Sequence, residues 1–217
     1  MKKLAIFDLD GTVLDTLDDL ADAVNAVLTV HGYPTHTRAE ICSYVGNGIA
    51  LLIARALPSG TDEVTVQAVL ADFKKYYAAH CADKTAPYAG IPALLCQLRT
   101  AGVYTAVLSN KADFATQALC KQYFAGLFDA VAGEKEAEGI PKKPAPDAVF
   151  ALMRALGVDA AQTVYIGDSE VDVQTAANAG VDAVLVSWGF RTKAELLAAG
   201  ASLVVDTPDA VLAEILR

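Results

Sequence analysis

Two aspartates, Asp8 and Asp10, stand one residue apart directly after an apolar run from Leu4 to Phe7, with Gly11 and Thr12 next in line. A buried strand that ends in charge needs compensation, because a carboxylate taken out of water is costly unless a cation, hydrogen bonds or solvent offset the loss. Further groups of this kind lie downstream: Ser109-Asn110, Lys143 within KKPAP, and Asp168 with Asp172 in the string GDSEVD. Gathered carboxylates repel one another, and a hard divalent ion removes that cost; magnesium typically takes one or two carboxylates together with phosphate and water. A hydroxyl, backbone N–H groups near Asn110 and one lysine suit phosphate oxygens. Brought together, these residues would make a phosphoryl-transfer site.

Residues so far apart in sequence converge only if the fold collects them. Apolar β-rich runs recur at Leu4 to Phe7, Val103 to Ser109, Phe128 to Ala132, Thr163 to Gly167, Ala183 to Ser187 and Leu203 to Val205. Nearly all are separated by helical spacing, at Ile91 to Ala101, Phe114 to Tyr123, Asp147 to Leu156, Val171 to Ala179 and Thr192 to Ala199. Strands alternating with helices predict an α/β fold, a doubly wound parallel sheet of Rossmann-like kind covered on both faces. The chemical residues fall at, or just after, predicted strand ends. In a parallel sheet these ends share one edge, where such sheets place their ligands.

The interval from Asp15 to Thr85 breaks the rhythm, with helical periodicity and no convincing strand. Leu17, Leu20, Val24, Val27 and Leu28 form one apolar stripe, and Ile49 to Leu57 and Val64 to Tyr77 read as further helices. Asp15, Asp18 and Asp19 suit the positive end of the first helix. The expected organisation is therefore a catalytic core of residues 1–14 and 86–217, interrupted by an all-helical insert of residues 15–85.

Composition narrows the partners. The chain has 217 residues, 54% of them hydrophobic, which argues for a packed core and against disorder. A formal net charge of -9 and the lack of a basic stripe speak against nucleic acid and anionic membrane surfaces. No apolar stretch approaches the ~20 residues of a membrane span, and the expected location is the cytoplasm. Cys42, Cys81, Cys96 and Cys120 are scattered without metal-binding spacing and read as reduced thiols. His31, His36 and His80 share no spacing that suggests a metal site.

Taken in order, FDLDGT, LSN, KPAPD and GDSEVD resemble the four motifs of the haloacid dehalogenase-like phosphohydrolase superfamily, over nearly the whole chain. The helical interval sits where that superfamily carries a helical cap. Within the superfamily the chain looks most like phosphoglycolate phosphatases, through YVGNGIALLIARAL, KKPAPD, GDSEVDVQTAANAG and SWGF. The resemblance implies that Asp8 attacks phosphorus to form an aspartyl-phosphate, and that Asp10 protonates the leaving alkoxide and then activates water. It implies Mg2+ held by an Asp8 oxygen, the Asp10 carbonyl and Asp168, with Asp172 acting directly or through water. Ser109, the Asn110 amide and Lys143 would hold the phosphoryl group, Gly11 would permit close backbone approach, and Thr12 would orient the loop or contact phosphate. In the cap, the resemblance gives Gly46, Asn47 and Gly48 a substrate contact.

Each assignment has a plainer reading beside it. Asp8-x-Asp10 alone fits a turn, Ser109-Asn110 a helix cap, and Asp172 a charge in the first turn of a helix. Lys142 competes with Lys143, although the spacing to Pro144 and Pro146 favours Lys143. Gly46 and Gly48 fit a flexible turn, Arg55 a pairing with a cap acid, and Trp188 and Arg191 packing and surface charge. The expected partner is a small phosphorylated metabolite, with 2-phosphoglycolate the best single guess, acted on by a monomer or homodimer. A sugar phosphomutase or pyrophosphatase of the same superfamily, and a phospho-aspartate signalling module, remain the alternatives. A dehalogenase is disfavoured by the presence of Asp10.

Overall fold

The computed structural model describes residues 1–217. By internal contacts the chain divides into two compact units, Met1–Leu14 with Pro87–Arg217, and Asp15–Ala86.

The larger unit is built on β1 (Leu4–Phe7), β4 (Tyr104–Ala112), β5 (Ala130–Glu134), β6 (Thr163–Gly167), β7 (Asp182–Val186) and β8 (Val204–Val205). They form one parallel sheet in the order β5-β4-β1-β6-β7-β8. Helices α5 (Ile91–Thr100), α6 (Asp113–Tyr123), α7 (Asp147–Leu156), α8 (Glu170–Ala179), α9 (Lys193–Ala198) and α10 (Pro208–Leu216) complete it. The winding runs outward from β1 through β4 to β5, then returns to the other side of β1 and runs through β6 and β7 to β8. Strand order therefore reverses between β1 and β6, and beyond the carboxyl ends of such strands lies the ligand crevice of an open α/β sheet. Leu4, Ala5, Ile6 and Phe7 are all fully buried, as a central strand with helices on both faces requires. Phe7 pairs in register with Val107 on one side and Ile166 on the other, so the residues that follow all three strands emerge at the same level.

The sequence places the second core strand at Val103 to Ser109, whereas β4 continues to Ala112. Its pairing with β5 explains the difference. Leu108 opposes Ala132 and Ala112 opposes Glu134, so four residues of β4 advance for two of β5. Ser109, Asn110 and Lys111 occupy that irregularity, and local disruption of a ladder is a common way to re-aim side chains beside a site.

The smaller unit is helical: α1 (Leu17–Val30), α2 (Arg38–Tyr44), α3 (Ile49–Ala56) and α4 (Glu63–His80). The predicted stripe on α1 is buried at Leu17, Leu20, Val24, Val27 and Leu28. Helix α2 is not foreseen by periodicity, since it buries only Ile41; its signal is the reciprocal capping box of Thr37 and Glu40. Helix α10 is likewise unforeseen and carries the start signal Thr207-Pro208. The chain passes between the units at β2 (Leu14–Asp15) and β3 (Ala86–Pro87), which form a separate two-stranded sheet. Asp19 does more than face a helix dipole. It is buried in the helical unit and accepts the backbone N–H groups of Lys84 and Thr85, fastening the unit's last residues to its first helix. No helix is long and apolar enough to cross a membrane. No disulfide joins the four cysteines, and burial pushes the Cys120 thiol up to about 12, with Asp10 adding to the effect.

Candidate active site

Asp8 is the first residue beyond β1, and its N–H is still bonded to Ile166 O of β6 at 2.8 Å. The sheet ladder thus fixes its backbone. One carboxylate oxygen accepts the Leu9 N–H at 2.7 Å, and the other meets Lys143 Nζ at 2.9 Å. Burial is the largest influence on this carboxyl group and raises its pKa from 3.8 to about 7, against the opposing pull of Lys143.

Lys143 lies in the segment before α7 with its side chain only 2% exposed, and its Nζ reaches Asp172 Oδ1 at 2.8 Å as well as Asp8. Burial alone would lower its pKa, but Asp172 and Asp8 outweigh that and hold it well above the ordinary lysine value. Its position is set from the backbone. Lys143 N–H donates to Asn110 Oδ1 at 2.9 Å, and Asn110 Nδ2 returns a bond to Lys143 O at 3.1 Å. The Asn110 side chain therefore ties the lysine segment to the end of β4, and this reciprocal pair singles out Lys143 over Lys142, which bridges to Glu136 at the surface.

Asp168 and Asp172 follow β6. Asp172 is fully buried and its Oδ2 accepts Ser169 Oγ at 2.6 Å, Ser169 N–H at 3.1 Å and Asp168 N–H at 3.2 Å, closing the amino end of α8. With Oδ1 on Lys143, Asp172 links the start of a helix to the buried cation. Asp168 accepts Thr12 Oγ1 at 2.9 Å on one oxygen and Phe190 N–H at 2.7 Å on the other. Burial, with Asp172 and Asp8 adding repulsion, pushes its pKa well above the carboxylate range. Gly11 adopts a positive φ of 81°, and a side chain there would collide with the Asp168 carboxylate.

Asp10 lies on the same loop with its carboxylate 16% exposed. Its partner is a residue to which the sequence reading gave no role: Lys111 Nζ lies 2.8 and 3.0 Å from the two Asp10 oxygens. A second group, read from the sequence only as packing and surface charge, follows β7. Trp188 Nε1 donates to Thr12 O at 3.1 Å, Gly189 packs so closely against Asp168 and Gly11 that a Cβ would collide, and Arg191 bridges to Glu170 at 2.9 Å. Trp188 and Arg191 thus brace the loops that carry Thr12 and Asp168. The signal for this brace was only a glycine between two aromatic residues.

The structure brings Asp8, Asp10, Gly11, Thr12, Ser109, Asn110, Lys143, Asp168 and Asp172 to one edge of the larger unit. Gly46, Asn47 and Gly48 belong to the helical unit, in the loop between α2 and α3. There Arg55 donates to Tyr44 O at 2.8 Å and Asn47 Oδ1 at 3.0 Å, so it holds the loop rather than pairing with an acid. The histidines serve local structure: His31 meets Asp72, His36 meets Ala56 O, and His80 meets Asp83.

The donor set fits a divalent metal. Carboxylate oxygens of Asp8, Asp168 and Asp172 all lie within 4.8 Å of one another. Lys143 contacts only two of these three carboxylates, and the pKa values of Asp8 and Asp168 are raised first by burial and then by repulsion from the neighbouring acids. Hard oxygen donors with a surplus of negative charge suit Mg2+.

The chain is similar to known proteins in sequence and in fold. Residues 5–186 match the family described as haloacid dehalogenase-like hydrolase. The chain is 35% identical over 213 residues to a phosphoglycolate phosphatase of Pseudomonas syringae pv. tomato, covering 95% of this chain and 77% of that protein. It is 35% identical over 215 residues to a phosphoglycolate phosphatase of Rhodospirillum rubrum, covering 95% and 88%. Among solved structures, a candidate phosphoglycolate phosphatase from Lactobacillus delbrueckii subsp. bulgaricus superposes with a TM-score of 0.94 at 39% identity, covering 99% of both chains. CbbY from Rhodobacter sphaeroides, solved in complex with phosphate, superposes at 0.79 with 26% identity over 96% and 95% of the two chains.

Proposed function

The chain belongs to the haloacid dehalogenase-like hydrolases, and we propose that this phosphatase hydrolyses a small phosphomonoester, 2-phosphoglycolate first, through an aspartyl-phosphate and with Mg2+. The observation that carries the reading is the Lys143 ammonium set between Asp8 and Asp172 at the sheet's switch point. Its charge opposes the effect of burial on Asp8 and so favours the ionised, nucleophilic form of that carboxyl group.

In the first half-reaction an Asp8 oxygen attacks phosphorus. The bond from phosphorus to the ester oxygen breaks, and the departing alkoxide takes the proton of Asp10. In the second, water attacks the phosphorus of the aspartyl-phosphate and gives its proton to Asp10; the phosphorus–Asp8 bond breaks, releasing phosphate and restoring both residues. Ser109 Oγ, the Asn110 N–H and Lys143 Nζ receive the phosphoryl oxygens, supplying the preorganised charge on which phosphoryl transfer depends. Asp8, the Asp10 carbonyl and Asp168 would hold Mg2+, with Asp172 behind them through Lys143 and α8. When bound, the ion neutralises phosphoryl charge and holds the group in line for attack.

Phosphoglycolate leads the substrates because the relatives at 35% identity carry that activity in their names. A sugar bisphosphate stands second, since a CbbY variant with 25% identity was captured with xylulose-(1,5)bisphosphate. Phosphate release from phosphoglycolate, sugar phosphates and bisphosphates, nucleotides and pyrophosphate, compared by kcat/KM with Mg2+ present, tests the reading. A preference for phosphoglycolate of at least tenfold is expected; absence of phosphate release from every ester would end it.

A further inference from the structure

We propose that Lys111 is a positioning residue that holds the Asp10 carboxylate in the orientation from which it exchanges protons with leaving group and water. This rests on the reading of Asp10 as acid and base. The Lys111 side chain is 3% exposed, and lysine is rarely buried so fully without a partner. Its ammonium lies within 3.0 Å of both Asp10 oxygens, so it restrains the rotation of the carboxylate as well as its distance. The two buried lysines take different acids: Lys143 takes Asp8 and Asp172, and Lys111 takes Asp10.

The backbone of Lys111 is fixed at both ends. Its N–H donates to Ser109 Oγ at 3.2 Å, and its carbonyl accepts Thr116 Oγ1 of α6 at 3.2 Å. The irregularity in β4 turns this stretch out of the ladder, so one distortion presents Ser109, Asn110 and Lys111 together. A purely stabilising role explains the arrangement poorly, because a buried ion pair rarely surpasses well-packed apolar side chains. Orientation explains it better. An acid–base group on a short stem at the mouth of a site, still 16% exposed, has rotamers that point it away from the reacting atoms.

The test separates orientation from general damage by the leaving group. An alkyl phosphate needs a proton on its departing oxygen, whereas p-nitrophenyl phosphate loses a phenolate that leaves unaided. In Lys111→Met, the single-turnover rate of ester cleavage is expected to fall about 100-fold with phosphoglycolate and less than about threefold in the nitrophenolate burst, within the range of general acid catalysis. In an Asp10→Ala background the same Lys111→Met change should cost nothing further on phosphoglycolate. Equal losses on the two esters, or losses that add to those of Asp10→Ala, overturn the proposal. Lys111→Arg covers the case in which the methionine variant does not fold. It keeps the cation on a longer planar head, and should still penalise phosphoglycolate at least about tenfold more than the aryl ester; equal penalties overturn the proposal here too. Should Asp10→Ala itself slow both esters alike, the acid role of Asp10 fails; should it discriminate while the Lys111 variants do not, only the positioning role fails.

Discussion

The two units differ in where their most tightly held charges lie. At the edge of the α/β sheet where the acids gather, lysines and aspartates are drawn inside and shared: Lys143 is 2% exposed between two carboxylates, and Asp172 accepts from a lysine, a hydroxyl and two backbone amides. In the helical unit the ion pairs lie at the surface, as in Arg38 with Asp18 and Lys84 with Asp22, each side chain more than half exposed; Asp19, buried but bonded to backbone, is the exception. A buried shared charge cannot be altered without disturbing its neighbours, whereas an exposed pair can be. The contrast places the tightly coupled charges, and with them the proposed chemistry, in one unit and the independently replaceable ones in the other.

The sharpest way to break this contrast is Asp8→Asn beside Arg55→Met. The first should lower steady-state phosphate release about 10⁴-fold, as loss of a nucleophile does. Comparable losses in both variants would erase the distinction between the units. Lys143→Met comes next. It strands Asp8 and Asp172 without their cation, so besides lost turnover it should cost about 3–5 kcal/mol in urea unfolding, the usual penalty for breaking a buried pair. Lys84→Met, which removes an exposed partner, should leave the unfolding midpoint unmoved; if the two variants unfold alike, burial is not the determinant.

Third is the pH dependence of the metal-free protein. Asp8 titrates near 7 when folded against 3.8 in its ordinary state, so the folded chain binds this proton more tightly than the unfolded one. Its contribution to stability is therefore full below the ordinary carboxylate range and is lost as pH rises from about 4 towards 7. Unfolding midpoints in EDTA should fall across that window. Midpoints with excess Mg2+ should fall less, because the ion binds the ionised carboxylates. A midpoint insensitive to Mg2+ at pH 8 would count against the metal site. The smallest effect belongs to Arg55→Met. By freeing the loop at Asn47 it should raise KM for phosphoglycolate about threefold to tenfold with little change in kcat, the pattern of lost uniform binding. A fall in kcat of similar size would move that loop into the chemistry.

Much of the larger unit was legible because its signals are local. An apolar run that ends in Asp8-x-Asp10, and Thr163 to Gly167 ending in GDSEVD, each state a strand and its chemical cargo within a dozen residues. Lys111 was not legible. Its meaning depends on Asp10, about a hundred positions away, and on an irregular strand pairing that no periodicity records. The brace at Trp188, Gly189 and Arg191 was hidden for the same reason, since its partners Thr12 and Glu170 lie on other loops. In the helical unit α2 buries a single residue, Ile41, and so leaves no stripe to read; only the Thr37 and Glu40 cap marks it.

The central place of β1 has a consequence in time as well as in space. Asp8, Ser109 and Asp168 hang from or lie within three neighbouring strands whose middles are screened from water by helices on both faces, while β8 and β5 lie at the sheet margins. Amide hydrogens exchange where a fold opens locally, and openings begin at margins. The amides of Ile6, Phe7 and Ile166 should therefore exchange only when the whole unit unfolds, while those of Val204 and Val205 exchange sooner. The reacting groups would then lose their geometry last of all, at the moment the protein ceases to be folded.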